Sequence, residues 1–102
     1  MTLQQIRYVA EIARHGTISK AAQELYITQP HLSSVLKELE NELGITIFSR
    51  ARKGVVLTED GREFLHFARP LLEQEERILN FYADKPSSGA PFRFSISTQR
   101  HP

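Results

Sequence analysis

The sequence has 102 residues, of which 40% are hydrophobic and 25% charged, a composition typical of one small globular domain. The absence of cysteine excludes a disulfide framework and a thiolate metal site. No apolar run approaches the roughly 20 residues of a membrane span, and the amphipathic N-terminus lacks a signal-peptide core, so we expect a cytoplasmic protein. A net charge of +1 argues against a bulk polyanion binder, but residues 50–53, "RARK", hold three of the 13 basic residues and predict a local basic patch.

The first two helices are marked by their end signals. The first is predicted from about Leu3 to Arg14, because Thr2 opens a capping box and Gly16 stands where a left-handed residue commonly ends a helix. The second covers "SKAAQEL" and begins near Thr17 or Ser19, since both residue types are good N-caps. A turn of about three residues, "YIT", then leads into the next helix.

The third helix is predicted from Gln29 to Leu43, with Thr28 as its cap, Pro30 in its first turn and Gly44 as its stop. Four leucines recur at helical spacing and predict a buried face. The first turns also carry small or neutral hydrogen-bonding side chains, namely Gln29, His31, Ser33 and Ser34. Because Lys and Glu would serve solubility better, these side chains indicate a surface that contacts a partner.

Two short segments rich in β-branched residues, "ITIFSR" and "GVVLT", predict a pair of strands. The hairpin tip between them, "ARKG", is basic and supplies Gly54 for a positive φ. Thr58 then caps a fourth helix, which should extend to about Tyr82 and be kinked by Pro70 in its interior.

Apolar residues on the fourth helix predict a dimer. They form two seams, one of Phe64, Ala68, Leu71, Ile78 and Tyr82, and the other of Leu65, Ala68, Leu72 and Leu79. A helix of roughly 25 residues is about 37 Å long, and a head of about 58 residues cannot cover all of it. An exposed apolar stripe of this length requires a partner, and we expect that partner to be the same helix of a second chain.

The order of these elements predicts a mainly α fold, a winged helix-turn-helix with a two-stranded β wing, at residues 1–58. A linker and dimerisation helix follows at 59–84, and 85–102 hold a hinge and a single strand, "FRFSIST". The composition of "DKPSSGAP", which begins at the last residue of the helix range, is that of a linker. The major groove of DNA admits one helix, whose N-terminal residues meet the base edges. Gln pairs with adenine through two hydrogen bonds, His and Ser reach other edge groups, and the helix dipole favours a nearby phosphate.

The segment "TISKAAQELYITQPHLSSVLKELENELGITIFSRARKGVVLTEDG" resembles the DNA-binding head of LysR-type transcriptional regulators, and the resemblance covers about residues 3 to 83. Its features are Ala21-Ala22, Gln29-Pro30 followed by Ser33, Leu39-Glu40 to Leu43-Gly44, Phe48, Arg50, and Leu57-Thr58 closing at Gly61. The resemblance implies a winged helix-turn-helix, a dimerising linker helix and a C-terminal domain that binds a small-molecule effector. The strand near the chain end would begin that domain, and the full-length protein is expected to be a tetramer.

The resemblance also implies which residues meet DNA. Thr28, Gln29, Pro30 and Ser33 match its DNA-facing residues, and Arg50 matches a backbone contact. Position 34 is frequently basic in the family but is Ser34 here, and His31 replaces a residue that is commonly small and apolar. The full set expected to contact DNA is Ser19, Thr28, Gln29, Pro30, His31, Ser33, Ser34, Lys37, Arg50, Arg52 and Lys53.

Other functions fit the sequence less well. The four histidines lack metal-ligand spacing, so no metal site or cofactor is expected in this segment. His31 with Ser33 or Ser34 has no accompanying oxyanion-hole motif, so we expect no enzyme. Winged helices also serve as protein-interaction modules through an apolar helix face, whereas this exposed helix start is polar. RNA binding is disfavoured because clustered aromatic residues for base stacking are absent.

Overall fold

The computed structural model describes residues 1–85, which form four helices and one two-stranded antiparallel sheet. In chain order these are α1 (Leu3–His15), α2 (Ile18–Leu25), α3 (Gln29–Leu43), β1 (Phe48–Ala51), β2 (Gly54–Leu57) and α4 (Glu59–Ala83). The predicted mainly α fold with a two-stranded wing is confirmed. The chain divides into two compact units, Met1–Leu72 and Glu73–Pro102, with the boundary inside α4. The predicted strand "FRFSIST" lies outside the described residues.

Side-chain caps define the starts of the first two helices. The Thr2 hydroxyl accepts a hydrogen bond from the Gln5 amide at 3.1 Å, and the Gln5 side chain accepts one from the Thr2 amide at 2.9 Å. α1 ends one residue later than predicted, and Gly16 follows it with φ +78°. Of the two candidate caps for α2, Thr17 is the one used, because its hydroxyl accepts from the Lys20 amide at 3.1 Å.

The turn between α2 and α3 contains the one non-glycine residue of positive φ among residues 1–85. Tyr26 has φ +59° and ends α2, and its side chain is 90% exposed. Nothing in the sequence indicated this conformation, since bulky residues seldom adopt it. Thr28 then caps α3 through a 3.2 Å bond from the His31 amide, and Gly44 ends the helix at φ +71°, both as predicted.

The core of the first unit lies where α1, α2 and α3 meet the start of the wing and the first turns of α4. Its buried side chains are Val9, Ile12, Ala21, Ala22, Leu32, Leu36, Leu39, Ile47, Phe48 and Leu65. The predicted leucine face of α3 is therefore buried, apart from Leu43 at its end, which is 36% exposed. Burial of this kind contributes roughly 1.5–3 kcal/mol for each large aliphatic side chain.

The first strand is shorter than the sequence predicted. β1 begins at Phe48 rather than Ile45, and the sheet register pairs Phe48 with Leu57 and Ala51 with Gly54. The Thr58 amide still donates to the Ile47 carbonyl oxygen at 2.9 Å, but the Ile47 amide donates to the Glu40 carboxylate at 2.7 Å instead of to the opposite strand, so the regular pairing begins only at Phe48.

The fourth helix begins as predicted, because the Thr58 hydroxyl accepts from the Gly61 amide at 2.9 Å. Pro70 lies inside it without ending it, and a kink there stays a prediction. Leu65 and Ala68, which the seam pattern assigned to a partner chain, are only 2% and 3% exposed. Their side chains are buried within one chain, so the prediction that they contact a second chain needs correction at these two positions.

Among residues 1–85, no helix is both long and apolar enough to cross a membrane.

Candidate nucleic-acid interface

A groove of about 510 Å³ lies between α3 and the wing, bordered on one side by the start of α2. It collects residues from elements that are far apart in the sequence. The residues of the predicted DNA-contacting set that line it are Ser19, Gln29, Ser33, Lys37, Arg50 and Arg52. The remaining members of that set do not line the groove; they are Thr28, Pro30, His31, Ser34 and Lys53.

The first turns of α3 present polar side chains to solvent. Gln29, His31 and Ser34 are exposed, and Ser33 is half-buried beside the groove. None of their side chains is needed for the helix cap, which Thr28 supplies. Their amide, imidazole and hydroxyl groups therefore remain available to a ligand, and together they offer both donors and acceptors. The N-terminus of α3 adds the partial positive charge of the helix dipole.

The wing carries its positive charge at a tighter turn than predicted. Because Ala51 and Gly54 are paired strand residues, only Arg52 and Lys53 form the turn, and both are exposed. Arg50, also exposed, lies on β1 where the strand borders the groove. The basic run is thus divided between the wing tip and the wall of the groove.

The cations in and beside the groove form no ion pairs with carboxylates of the described residues. Within the described part of the chain, the four cations of this surface take part in no ion pair; they are Lys37, Arg50, Arg52 and Lys53. The ion pairs that the fold does form, such as that between the Met1 amino group and Glu42, lie elsewhere. Unpaired cations spaced along one surface attract a polyanion more strongly than a net charge of +1 suggests.

Two hydrogen-bonded links fix the wing relative to the helices. The Glu40 carboxylate on α3 accepts from the amides of Ile47, at 2.7 Å, and Phe48, at 3.4 Å. On the other strand, the Val55 amide donates to the Gly16 carbonyl oxygen at 2.9 Å. The spacing between the exposed face of α3 and the wing is therefore set by specific bonds.

Sequence reasoning missed Glu40 as a member of this site. It is half-buried, lines the groove, and is the one carboxylate among the groove-lining residues. A weak signal was available, because Glu40 falls one turn after Leu36, on the side of α3 that the strands must approach. The sequence could not specify which backbone amides it would bind.

Large apolar side chains are exposed on α4 in both units. Phe67 and Leu71 are exposed in the first, and Ile78 and Tyr82 are exposed in the second. Phe81, absent from the predicted seams, is 58% exposed. Of the other seam residues, Leu72 and Leu79 are half-buried, and Phe64 packs against the core. The apolar surface left for a partner is therefore narrower than predicted at the start of α4.

Comparison with known proteins places this site in a family. The profile of the bacterial regulatory helix-turn-helix protein, lysR family, matches residues 3–62, more than half of the chain. The chain belongs to the LysR family. The predicted resemblance is thereby confirmed, and the matched segment contains α1, α2, α3 and both strands of the wing.

Relatives of this LysR family member are transcriptional regulators. The RuBisCO operon transcriptional regulator of Allochromatium vinosum is 40% identical over 82 residues, which cover 78% of this chain and 27% of that protein. The regulator ClcR of Pseudomonas putida is 41% identical over 76 residues, covering 74% and 26%. The chain therefore spans about a quarter of the length of these curated relatives.

Solved structures of the family share the fold. The crystal structure of the BenM DBD in complex with benA site 1 DNA has a TM-score of 0.75 and 32% identity, over 81% of this chain and 93% of that one. A full-length OxyR variant from Pseudomonas aeruginosa has a TM-score of 0.76 and 37% identity, over 84% of this chain and 30% of that one.

No group of three or more His, Asp or Glu side chains within residues 1–85 is arranged to hold a metal ion.

Proposed function

We propose that this chain is the sequence-specific DNA-binding part of a cytoplasmic transcriptional regulator and is not an enzyme. The observation that carries the proposal is the groove between α3 and the wing, in which polar helix residues and unpaired cations face one space. Neutral hydrogen-bonding groups suit base edges, whereas cations suit phosphates, and a DNA duplex presents both side by side. The BenM DBD has a similar fold and was crystallised as a complex with DNA, and this likeness supports the proposal.

In the proposed complex the N-terminal turns of α3 enter the major groove. Gln29 and Ser33 contact base edges there, and His31 and Ser34 follow on the exposed side of the helix. Thr28 and Pro30 shape the helix start. The start of α2, with Ser19, and the side chain of Lys37 lie beside phosphates, which position the head without selecting a sequence.

In the same complex the wing contacts the adjacent minor groove. Its two-residue tip presents Arg52 and Lys53, whose charges favour a narrow minor groove and the phosphates on either side. Arg50, lower on β1, is assigned to the sugar–phosphate backbone. These contacts contribute mainly sequence-independent affinity, which depends on salt because bound counterions are released.

The regulator is proposed to act as a homodimer joined through α4. Exposed Leu71, Ile78 and Tyr82 supply the apolar contact, with Leu72 and Leu79 beside them. Two heads related by a two-fold axis would read a pseudo-palindromic site. In the full-length protein, a tetramer and a C-terminal domain that binds a small-molecule effector are proposed from the resemblance to the family.

A selection from random DNA duplexes tests this function most directly. Wild-type protein should enrich a sequence made of two related half-sites, and its affinity should fall steeply with salt. A matched variant with Arg50, Arg52 and Lys53 all changed to Ala should lose affinity for selected and random duplexes alike. A protein that enriches no sequence, and elutes from heparin at low salt, would instead be a protein-interaction module.

A further inference from the structure

Glu40 occupies a place in the groove where a negative charge is unfavourable for binding DNA. It lines the same space as Lys37, Arg50 and Arg52, so its carboxylate lowers the attraction of that surface for phosphate. Because this charge disfavours phosphate, Glu40 is not suited to contacting DNA directly, and its hydrogen bonds indicate a structural role instead. Its Oε2 atom accepts hydrogen bonds from the Ile47 and Phe48 amides, at 2.7 Å and 3.4 Å. Bonds to an ionised acceptor are stronger than those between neutral groups.

Glu40 holds Ile47, which lies at the base of the wing. The carbonyl oxygen of Ile47 accepts from the Thr58 amide at 2.9 Å, and the Thr58 hydroxyl is shared between the carbonyl oxygens of Thr46, its nearer acceptor, and Ile47, at 3.2 Å. β1 begins immediately after Ile47, and β2 ends immediately before Thr58. Both strands are therefore joined at Ile47, and Glu40 connects that residue to α3.

We propose that Glu40 is a positioning residue that holds the wing at the spacing from α3 required to engage both grooves of DNA at once. This inference rests on the proposed function. Glu40 itself contacts no base or phosphate; it acts through Ile47 on the position of Lys53 and Arg52. Without the bond, α3 still enters the major groove, but the wing tip is no longer held over the minor groove, so its cations contribute less.

A double-mutant cycle between Glu40 and Lys53 tests the proposal. Glu40→Met keeps the side-chain length and helix propensity but removes the acceptor, whereas Glu40→Gln keeps an acceptor oxygen and removes the charge. In wild-type protein, Lys53→Ala should weaken binding by about three- to tenfold. In the Glu40→Met background the same change should cost less than about twofold, because coupled residues are not additive. In the Glu40→Gln background the full effect should return.

Gln29→Ala is the matched control, since Gln29 stands at the opposite end of α3 from Glu40. Its effect should be the same in wild type and in Glu40→Met. Equal costs of Lys53→Ala in all three backgrounds would overturn the positioning role, as would a Glu40→Gln protein that behaves like Glu40→Met. If wild-type protein fails to bind duplex DNA at all, the proposed function itself is wrong. If wild-type protein binds DNA but the effects of the Glu40 and Lys53 substitutions simply add, only the positioning role of Glu40 is wrong.

Amide hydrogen exchange keeps the test decisive if Glu40→Met does not fold. The Ile47 amide should exchange slowly in both wild type and Glu40→Gln, because both retain the acceptor. Fast exchange of the Ile47 amide in the wild-type protein would show that the link to α3 is not maintained in solution, and the positioning role would be wrong.

Discussion

The Val55 amide donates a hydrogen bond to the carbonyl oxygen of Gly16, 2.9 Å away, and so ties the second strand of the wing to the junction of α1 and α2. This bond brings two backbone segments close together at the residue before Val55. A Cβ atom on Gly54 would lie 2.1 Å from the Gly16 carbonyl oxygen and 2.8 Å from Cγ2 of Thr17. Gly54 also has φ +112°, so both sterics and backbone conformation require glycine there.

Gly54→Ala should therefore displace the wing and destabilise the fold by about 1–3 kcal/mol, the usual cost of a strained backbone position. Urea denaturation measures the loss, and DNA affinity should fall with it. Gly44→Ala is the control, because Gly44 also has positive φ, at +71°, but a Cβ there meets nothing within 4 Å. A Gly54→Ala protein no less stable than Gly44→Ala would show that the close approach to Gly16 does not exist in solution.

Gln29→Ala should weaken binding to the preferred site by about 1–3 kcal/mol and relax the choice of base. The substitution removes the amide but no charge, so the slope of log affinity against log salt should hardly change. Titrations on preferred and scrambled duplexes at several salt concentrations measure both effects. Equal weakening on the two duplexes would make Gln29 a positioning residue rather than a reader of sequence.

Lys53→Ala should weaken binding to preferred and scrambled duplexes alike, because a wing-tip charge acts on phosphates and groove shape. It should also flatten the salt dependence by about one unit for each phosphate that a head no longer neutralises. Affinities measured over a range of salt concentrations give this slope. Arg14→Ala is a suitable control, since Arg14 on α1 is paired with Glu11 and does not line the groove. An unchanged salt slope in Lys53→Ala would show that Lys53 does not neutralise a phosphate.

Leu71→Glu combined with Ile78→Glu should give monomers in sedimentation and weaken binding to a two-half-site duplex sharply. Both side chains are about half exposed in the single chain, at 47% and 50%, so the substitutions act on association and not on the core. Gln74→Glu, an exposed polar position on the same helix, controls for added negative charge. Dimers of normal stability in the double variant would place the contact elsewhere.

Signals carried by neighbouring residues were sufficient to predict most of the fold. Thr2, Thr28 and Thr58 bond to amides three residues ahead, and Gly44 ends a helix in the left-handed region. Each of these features depends on a few adjacent residues and a fixed geometry. For the same reason, the helix-turn-helix and the place of the wing could be predicted with few errors in their bounds.

Features that depend on distant contacts could not be predicted in the same way. The start of β1 is decided by Glu40, and the burial of Leu65 by a core assembled from the other helices. A repeat of apolar residues does not show whether its own domain or a second chain covers them, which is why Leu65 and Ala68 were assigned to a partner. Tyr26 adopts a conformation that its residue type disfavours.

On α3 the residues that hold the fold and those that face solvent alternate. Leu32, Leu36 and Leu39 are buried, whereas His31, just before Leu32, and Ser34, between Leu32 and Leu36, are exposed and make no side-chain contribution to the core. Exposed substitutions of this kind usually change the free energy of unfolding by no more than about 0.5 kcal/mol. Duplicated genes encoding such a head could therefore diverge in the DNA they prefer, one base contact at a time, while every intermediate protein still folds.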